Sequence, residues 1–190
     1  MSIRQLSNPK TQNYLEFKHD TLDDVYFPWF WNPAATPVQD LSKLGMTVPN
    51  GCADIGFYSH TILDPPHRFT GKQNRYYSKS CSPLLDDVHN ILLDILYHNK
   101  IEVLCFYRIC LNCVHPTGNN KPTVPHTDHD HPHKNIIVYF TDPDGGETMC
   151  EGDRFLGKED DVILLDGIHN LRPPSQKRRI VLIATGLFQE

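Results

Sequence analysis

The feature that most restricts what this chain can fold into is its texture after Ile101: short apolar runs, each stopped by turn formers. Residues 102–111 (EVLCFYRICL) read as one or two strands, 135–140 (NIIVYF) as a short apolar strand, and 162–165 and 180–184 as two more. Between them stand a long turn-rich loop at 114–122 and the turn Asp142-Pro143-Asp144-Gly145-Gly146, where Pro fixes φ and Gly accepts positive φ. Strands this short cannot bury an apolar face alone, so they close as two packed layers, a sandwich or a jelly roll. The 15 prolines and 11 glycines among 190 residues suit the many turns of such a mainly β fold.

One helix is clear, over about 83–98. Leu84, Leu85, Val88, Ile91, Leu92, Ile95 and Leu96 form a single apolar stripe of 3.6-residue period. Ser82 is placed to cap it with Pro83 at the first position, Asp86 and Asp87 sit near the positive end of the dipole, and His98-Asn99-Lys100 suits the other end. The stripe needs a sheet or another helix to cover it, and the helix is expected packed outside the β layers. Upstream, Phe27-Pro28-Trp29-Phe30-Trp31 is too aromatic for an exposed tail and is expected to dock on the core. A chain of 190 residues closes one sizeable core and leaves a second cramped; one domain is expected, residues 1–100 supporting a β core over about 101–188.

A formal charge of −5 provides no field for wrapping a polyanion, so nucleic acid is not indicated as a partner. No run approaches the ~20 apolar residues that span a bilayer, and the opening MSIRQLSNPK lacks the apolar centre of a secretory signal. No membrane association and a cytoplasmic location are expected. Cys52, Cys81, Cys105, Cys110, Cys113 and Cys150 then read as reduced thiols. The Cys110/Cys113 pair lacks a second half at zinc-site spacing and reads as buried strand residues.

The chemistry concentrates in Pro125 to His133 (PHTDHDHPH), with four imidazoles and two carboxylates in nine residues. In extended backbone alternate side chains share a face, so His126 and Asp128 can point at one ion while Thr127 points away. A third donor is available in His169, just beyond the apolar run at 162–165. Two imidazoles and one carboxylate make a facial triad, which leaves positions open on a ferrous ion. Ten residues further on, on the next strand, Arg179 with Arg178 beside it could clamp the distal carboxylate of a bidentate oxo acid. A one-residue slip decides which arginine faces inward, and the apolar alternation that follows Arg179 favours Arg179. His129, Asp130, His131 and His133 read as loop or mouth residues, since three ligands complete the triad.

The order of His126-Thr127-Asp128, then Ile136 to Phe140 leading into Asp144-Gly145-Gly146-Glu147-Thr148, then Asp166-Gly167-Ile168-His169, then Arg178-Arg179-Ile180-Val181-Leu182-Ile183 resembles the motifs of the 2-oxoglutarate and Fe(II)-dependent dioxygenases. The resemblance is to their prolyl 4-hydroxylase-like branch, including short phage-encoded members. It covers about residues 105–188, and Phe27-Pro28-Trp29-Phe30 and Phe57-Tyr58-Ser59-His60 extend it upstream. It implies a double-stranded β-helix, a jelly roll, as one oxygenase domain over residues 1–190. It also implies Fe(II), 2-oxoglutarate as cosubstrate and O₂, with His126, Asp128 and His169 as the catalytic metal ligands. Arg179 or Arg178 would hold the C5 carboxylate of 2-oxoglutarate, and Tyr107, Asn112 and Tyr139, on strands expected to line the mouth, would contact the cosubstrate. The implied reaction is hydroxylation of an unidentified substrate with release of succinate and CO₂.

Three other readings use the same residues. A cupin-like protein would use the HxH of His129-Asp130-His131 or His131-Pro132-His133, yet the glutamate expected a few residues later is missing. A non-catalytic metal-binding jelly roll would keep the ligands without turnover. A zinc hydrolase could use HxD…H, but it has no oxo-acid tail for the basic pair to hold. The substrate class stays open between a small molecule and a peptide. Loops at 50–80 and 115–125, with Arg68, Lys72, Arg75, Tyr76, Tyr77 and Lys79, are where an anionic or peptide substrate would meet the chain.

Overall fold

The computed structural model describes residues 2–34, 51–65 and 77–189. In chain order these form β1 (Ile3–Leu6), α1 (Gln12–Asp23), β2 (Phe30–Asn32), β3 (Phe57–Asp64), β4 (Lys79–Ser80), α2 (Leu85–His98), β5 (Glu102–Val114), β6 (Lys134–Tyr139), β7 (Thr148–Cys150), β8 (Asp153–Phe155), β9 (Val162–Leu165), β10 (His169–Leu171) and β11 (Arg179–Gln189). The major sheet is antiparallel in the order β1-β9-β6-β11-β5-β3-β2 with β4 on β3, and the minor sheet is β10-β7-β8. The result is a mainly β jelly roll with its helices on one face.

Two apolar clusters separate the layers. On one face of the major sheet Ile109, Leu111, Ile136, Val138, Ile180 and Leu182 pack with Val88, Ile91, Leu92, Ile95 and Leu96 of α2. Those five helix residues are at most 1% exposed, and burying each contributes ~1.5–3 kcal/mol. On the opposite face Ile137, Tyr139, Ile163, Leu165 and Val181 pack with Cys150 of the minor sheet. Both faces of β6, β9 and β11 are thus covered, which is why these strands are apolar throughout instead of alternating. Helix α1 is fastened by Tyr14 and Phe17, whose rings meet Phe140 edge-on at 5.9 and 6.0 Å, and by the Tyr14 hydroxyl donating to Asp160 at 2.6 Å.

Two local expectations shift. Helix α2 begins at Leu85 with Leu84 as its cap residue, because the Ser82 hydroxyl is engaged with His60 Nε2 and accepts from the Leu84 amide. In the aromatic segment Phe27 and Trp29 pack on the core, whereas Phe30 and Trp31 are 62% and 59% exposed on β2, the end strand of the sheet path. Among the described residues no helix is long and apolar enough to cross a membrane.

Strand register positions the site. Arg108 pairs with Thr185 and Thr185 with Asn135, so these three form one row across β5, β11 and β6. Cys110, Ile183 and Ile137 form the next row, Asn112, Val181 and Tyr139 the one after, and Arg179 lies one step deeper. Directly opposed residues share a face, so these rows floor a single cavity.

Candidate metal centre

The segment carrying His126 is zippered to β10. Thr123 donates to the Leu171 carbonyl, and His126 and His169 exchange both backbone hydrogen bonds at 2.9 Å as an antiparallel bridge. In such a pair the two side chains leave on the same side, and the imidazole centroids lie 4.8 Å apart. Asp128, two residues on, reaches the same spot. One ligand atom from each of His126, Asp128 and His169 falls within 4.8 Å of the others, the single such group of three or more metal-binding side chains among the described residues. Gly167, two residues before His169, adopts a backbone conformation that L side chains rarely take. Its φ is +124° and a Cβ there would meet Glu151 Oε1 at 2.5 Å.

The protonation state follows from the hydrogen bonds. His126 Nδ1 donates to the Val124 carbonyl at 3.0 Å and His169 Nδ1 to the Gly167 carbonyl at 3.2 Å. A carbonyl only accepts, so the proton of each neutral ring sits on Nδ1 and the Nε2 lone pair is free for a ligand role. Burial, with His126 adding to it, holds His169 below the usual histidine range against the pull of Asp128, which favours that neutral form. His169 Nε2 then faces Asp128 Oδ2 at 3.5 Å, two electron-rich atoms whose close approach is relieved by a cation between them. Burial alone would raise the Asp128 carboxyl, but Arg108, then His169, His126 and Asn135 outweigh it and keep the group below the usual carboxylate range. The donor set of two imidazoles and one ionised carboxylate fits a ferrous ion.

The cavity beside this group has a volume of about 350 Å³ and is lined by Phe57, Arg108, Asn112, Ile137, Thr148, Arg179 and Ile183 besides the three donors. At its inner end Arg179 is 1% exposed. Its Nη2 donates to Thr148 Oγ1 at 2.9 Å and approaches the Tyr139 hydroxyl at 3.5 Å. Its Nε has no hydrogen-bond acceptor, and among the described residues no carboxylate pairs with it. The carbonyl oxygens of Asn112 and Asn135 are likewise buried without a donor. The guanidinium lies over the Tyr139 ring at 5.1 Å and has room to take an anion, because a buried cation costs several kcal/mol to desolvate unless it is paired.

Of the residues singled out in the sequence, His126, Asp128, His169, Arg179 and Asn112 line this one cavity, and Tyr139 touches Arg179. Arg178 points away, donating to the Leu22 carbonyl at the end of α1 at 3.1 Å. Tyr107 does not line the cavity. Arg108 pairs with Thr185 and Phe106 with Gly186, so Tyr107 is the extra residue of a bulge, and it packs against His131 and His129 at 4.7 and 5.6 Å. His129, His131 and His133 cluster beside it, with His129 Nε2 at 2.6 Å from the Oγ1 of Thr185, the middle residue of the Arg108–Thr185–Asn135 row. Cys110 and Cys113 sit on opposite faces of β5, both buried. Arg68, Lys72, Arg75 and Tyr76 lie outside the described residues, while Tyr77 is 70% exposed. Sequence reasoning missed Arg108, Asn135 and Thr148. Arg108 is the lone charge within residues 103–111, a detectable signal, whereas Thr148 stands in the motif that ends at residue 148 without a feature that marks its role.

No family model matches the sequence, and no curated protein is similar to it. Solved structures are similar in fold. A 2OG-Fe(II) oxygenase family oxidoreductase from Burkholderia pseudomallei superposes with a TM-score of 0.53 at 12% identity over 95% of this chain and 93% of that one. A prolyl hydroxylase from Trichoplax adhaerens, in complex with a hypoxia inducible factor peptide fragment, gives 0.54 at 8% identity over 98% and 83%. A viral collagen prolyl hydroxylase from Paramecium Bursaria Chlorella virus-1 gives 0.50 at 12% identity over 98% and 96%. The architecture is that of the 2OG-Fe(II) oxygenase jelly roll, and prolyl hydroxylases stand among its structural neighbours.

Proposed function

We propose that the chain is an Fe(II)- and 2-oxoglutarate-dependent oxygenase of the prolyl 4-hydroxylase-like branch, akin to its short phage-encoded members, and that it hydroxylates a small-molecule or peptide substrate. The observation that carries this reading is the cavity with a ferrous donor set at one end and a buried, carboxylate-free Arg179 at the other. A dicarboxylate with an oxo group beside one carboxylate matches both ends at once, whereas a cupin-like or zinc-hydrolase reading leaves Arg179 unexplained.

His126 and His169 would hold the metal through Nε2 and Asp128 through Oδ2. When bound, Fe(II) supplies O₂ activation and the oxidising chemistry, and 2-oxoglutarate the two electrons lost as it becomes succinate and CO₂. The chain's own work is placement. The carbonyls of Val124 and Gly167 fix the imidazole tautomers, Arg179, Thr148 and Tyr139 receive the distal carboxylate, and Ile137 and Ile183 keep the floor dry. Substrate would enter at the rim formed by Phe57, Thr127 and Asn170.

The test is conversion of 2-oxoglutarate to succinate by the purified chain with Fe(II) and ascorbate, expected to depend on iron and to vanish in His169→Ala. Succinate formation that survives that substitution would remove His169 from the site.

A further inference from the structure

The metal carboxylate is gripped by two residues that belong to neither end of the cavity. Arg108 Nη1 donates to Asp128 Oδ1 at 3.0 Å, and Asn135 Nδ2 donates to Asp128 Oδ2 at 2.6 Å while reaching towards His169 Nε2 at 3.4 Å. The amide orientation of Asn135 is set by this contact, because the opposite orientation would press its carbonyl oxygen against a carboxylate. Both side chains stand in the row Arg108–Thr185–Asn135, on two strands of the major sheet separated only by β11. Their spacing is therefore fixed by the sheet and not by the loop that carries Asp128. Asp64 and the buried thiol of Cys110 also lie near the guanidinium, but its one described hydrogen bond to a carboxylate goes to Asp128.

Resting on the metal-centre reading above, we propose that Arg108 is a positioning residue: it occupies Oδ1 of Asp128 so that the carboxylate offers only Oδ2 to the metal. A carboxylate free to swing can bind a ferrous ion through both oxygens, and the second oxygen would take a position that a bidentate oxo acid needs. Arg108 disfavours that mode because its always-charged guanidinium holds Oδ1 in one direction, whereas the neutral Asn135 amide takes only one of the two lone pairs of Oδ2 and leaves the other for the metal. Asn135 assists from the other side, holding Oδ2 towards His169. The consequence for the reaction is that the open metal positions are decided by a strand residue of β5 that never touches the metal, the usual way outer residues tune a metal ligand.

The experiment uses the full chain loaded with Mn(II) for affinity and Co(II) for coordination, each with and without 2-oxoglutarate. Arg108→Gln is expected to weaken Mn(II) binding by ~10–100-fold, to change the visible Co(II) spectrum, and to weaken 2-oxoglutarate binding to the metal-loaded protein. Arg108→Lys should restore the wild-type spectrum with intermediate affinity. A Co(II) spectrum of Arg108→Gln identical to wild type, or Mn(II) binding as tight or tighter, overturns the proposal. If Arg108→Gln melts before it can be loaded, Arg108→Lys decides alone: a wild-type spectrum supports the role and an altered one overturns it. Asp128→Asn separates the two levels. If wild type takes up no Mn(II), or Asp128→Asn binds as tightly as wild type, the metal centre itself fails and not merely the part given to Arg108.

Discussion

Replacing the buried guanidinium of Arg179 with methionine, a side chain of similar length and no charge, should move two measurable quantities in opposite directions. Arg179 is 1% exposed, holds Thr148 through one 2.9 Å bond, and leaves Nε without an acceptor. Truncating one partner of a buried, hydrogen-bonded charge pair costs ~2–5 kcal/mol, so 2-oxoglutarate should bind the Mn(II)-loaded variant ~30–4000-fold more weakly at ~1.4 kcal/mol per decade. Without ligand the balance reverses, because an apolar side chain in that position removes a buried cation that only Thr148 and the Tyr139 ring offset; apolar replacements of buried charge are often neutral or stabilising. The melting temperature of the ligand-free variant should hold or rise, by ~2–4 °C for each ~1 kcal/mol gained in a chain of this size. Calorimetric titration with 2-oxoglutarate and a thermal melt read the two effects separately. Arg178→Met is the control, since Arg178 donates to Leu22 on the outer side; it should leave 2-oxoglutarate binding unchanged. An Arg179→Met variant that binds within about threefold of wild type, against the loss of at least ~30-fold required by the pair energy, would refute the reasoning.

Other perturbations follow from the same contacts. Gly157→Ala would place a Cβ 2.3 Å from the fully buried Tyr139 ring; a melt should show a loss of ~1–3 kcal/mol from overpacking, and calorimetry weaker 2-oxoglutarate binding as the Tyr139–Thr148–Arg179 contacts shift. Leu92→Ala, at 0% exposure beneath the major sheet, should cost ~2–5 kcal/mol in denaturant unfolding while leaving metal affinity intact. His129 is held down to about 4, from 6.5, by burial and then by His133. The folded form therefore refuses a proton that the unfolded chain takes up, so the stability this site contributes is present above pH 6.5 and is lost as pH falls towards 4. Thermal melts of the metal-free protein across that range should fall, and less steeply in His129→Gln; parallel slopes would count against this origin.

What the sequence displayed was local. The apolar stripe of α2 and the runs at 102–111, 135–140, 162–165 and 180–184 were visible because periodicity and turn formers are nearest-neighbour properties. The pairings were not. Nothing in Ile3–Leu6 announces a partner at Val162–Leu165, and β3 joins β5 with a register shift between Thr61 and Leu63. In the site, the spacing of His126 and Asp128 and the place of His169 after an apolar run sufficed to single them out. Their convergence depends on the bridge between residues 126 and 169, a long-range fact. The choice between Arg178 and Arg179 is a matter of one-residue register, and the sheet buries Arg179 while Arg178 is exposed. Tyr107 was misplaced because a bulge re-aims it and no sequence signal marks the bulge. Arg108 and Asn135 escaped because a charged or amide side chain in a strand reads as an edge residue until its cross-sheet partner is known.

The most direct measurement is an anaerobic titration of the Fe(II)-loaded chain with 2-oxoglutarate, followed by the visible charge-transfer band that a chelated 2-oxo acid gives with ferrous iron. A saturable band with one equivalent of 2-oxoglutarate, lost in His169→Ala and in Asp128→Asn, is the predicted result. The absence of a band in the wild type, or one that persists unchanged in His169→Ala, would contradict the account.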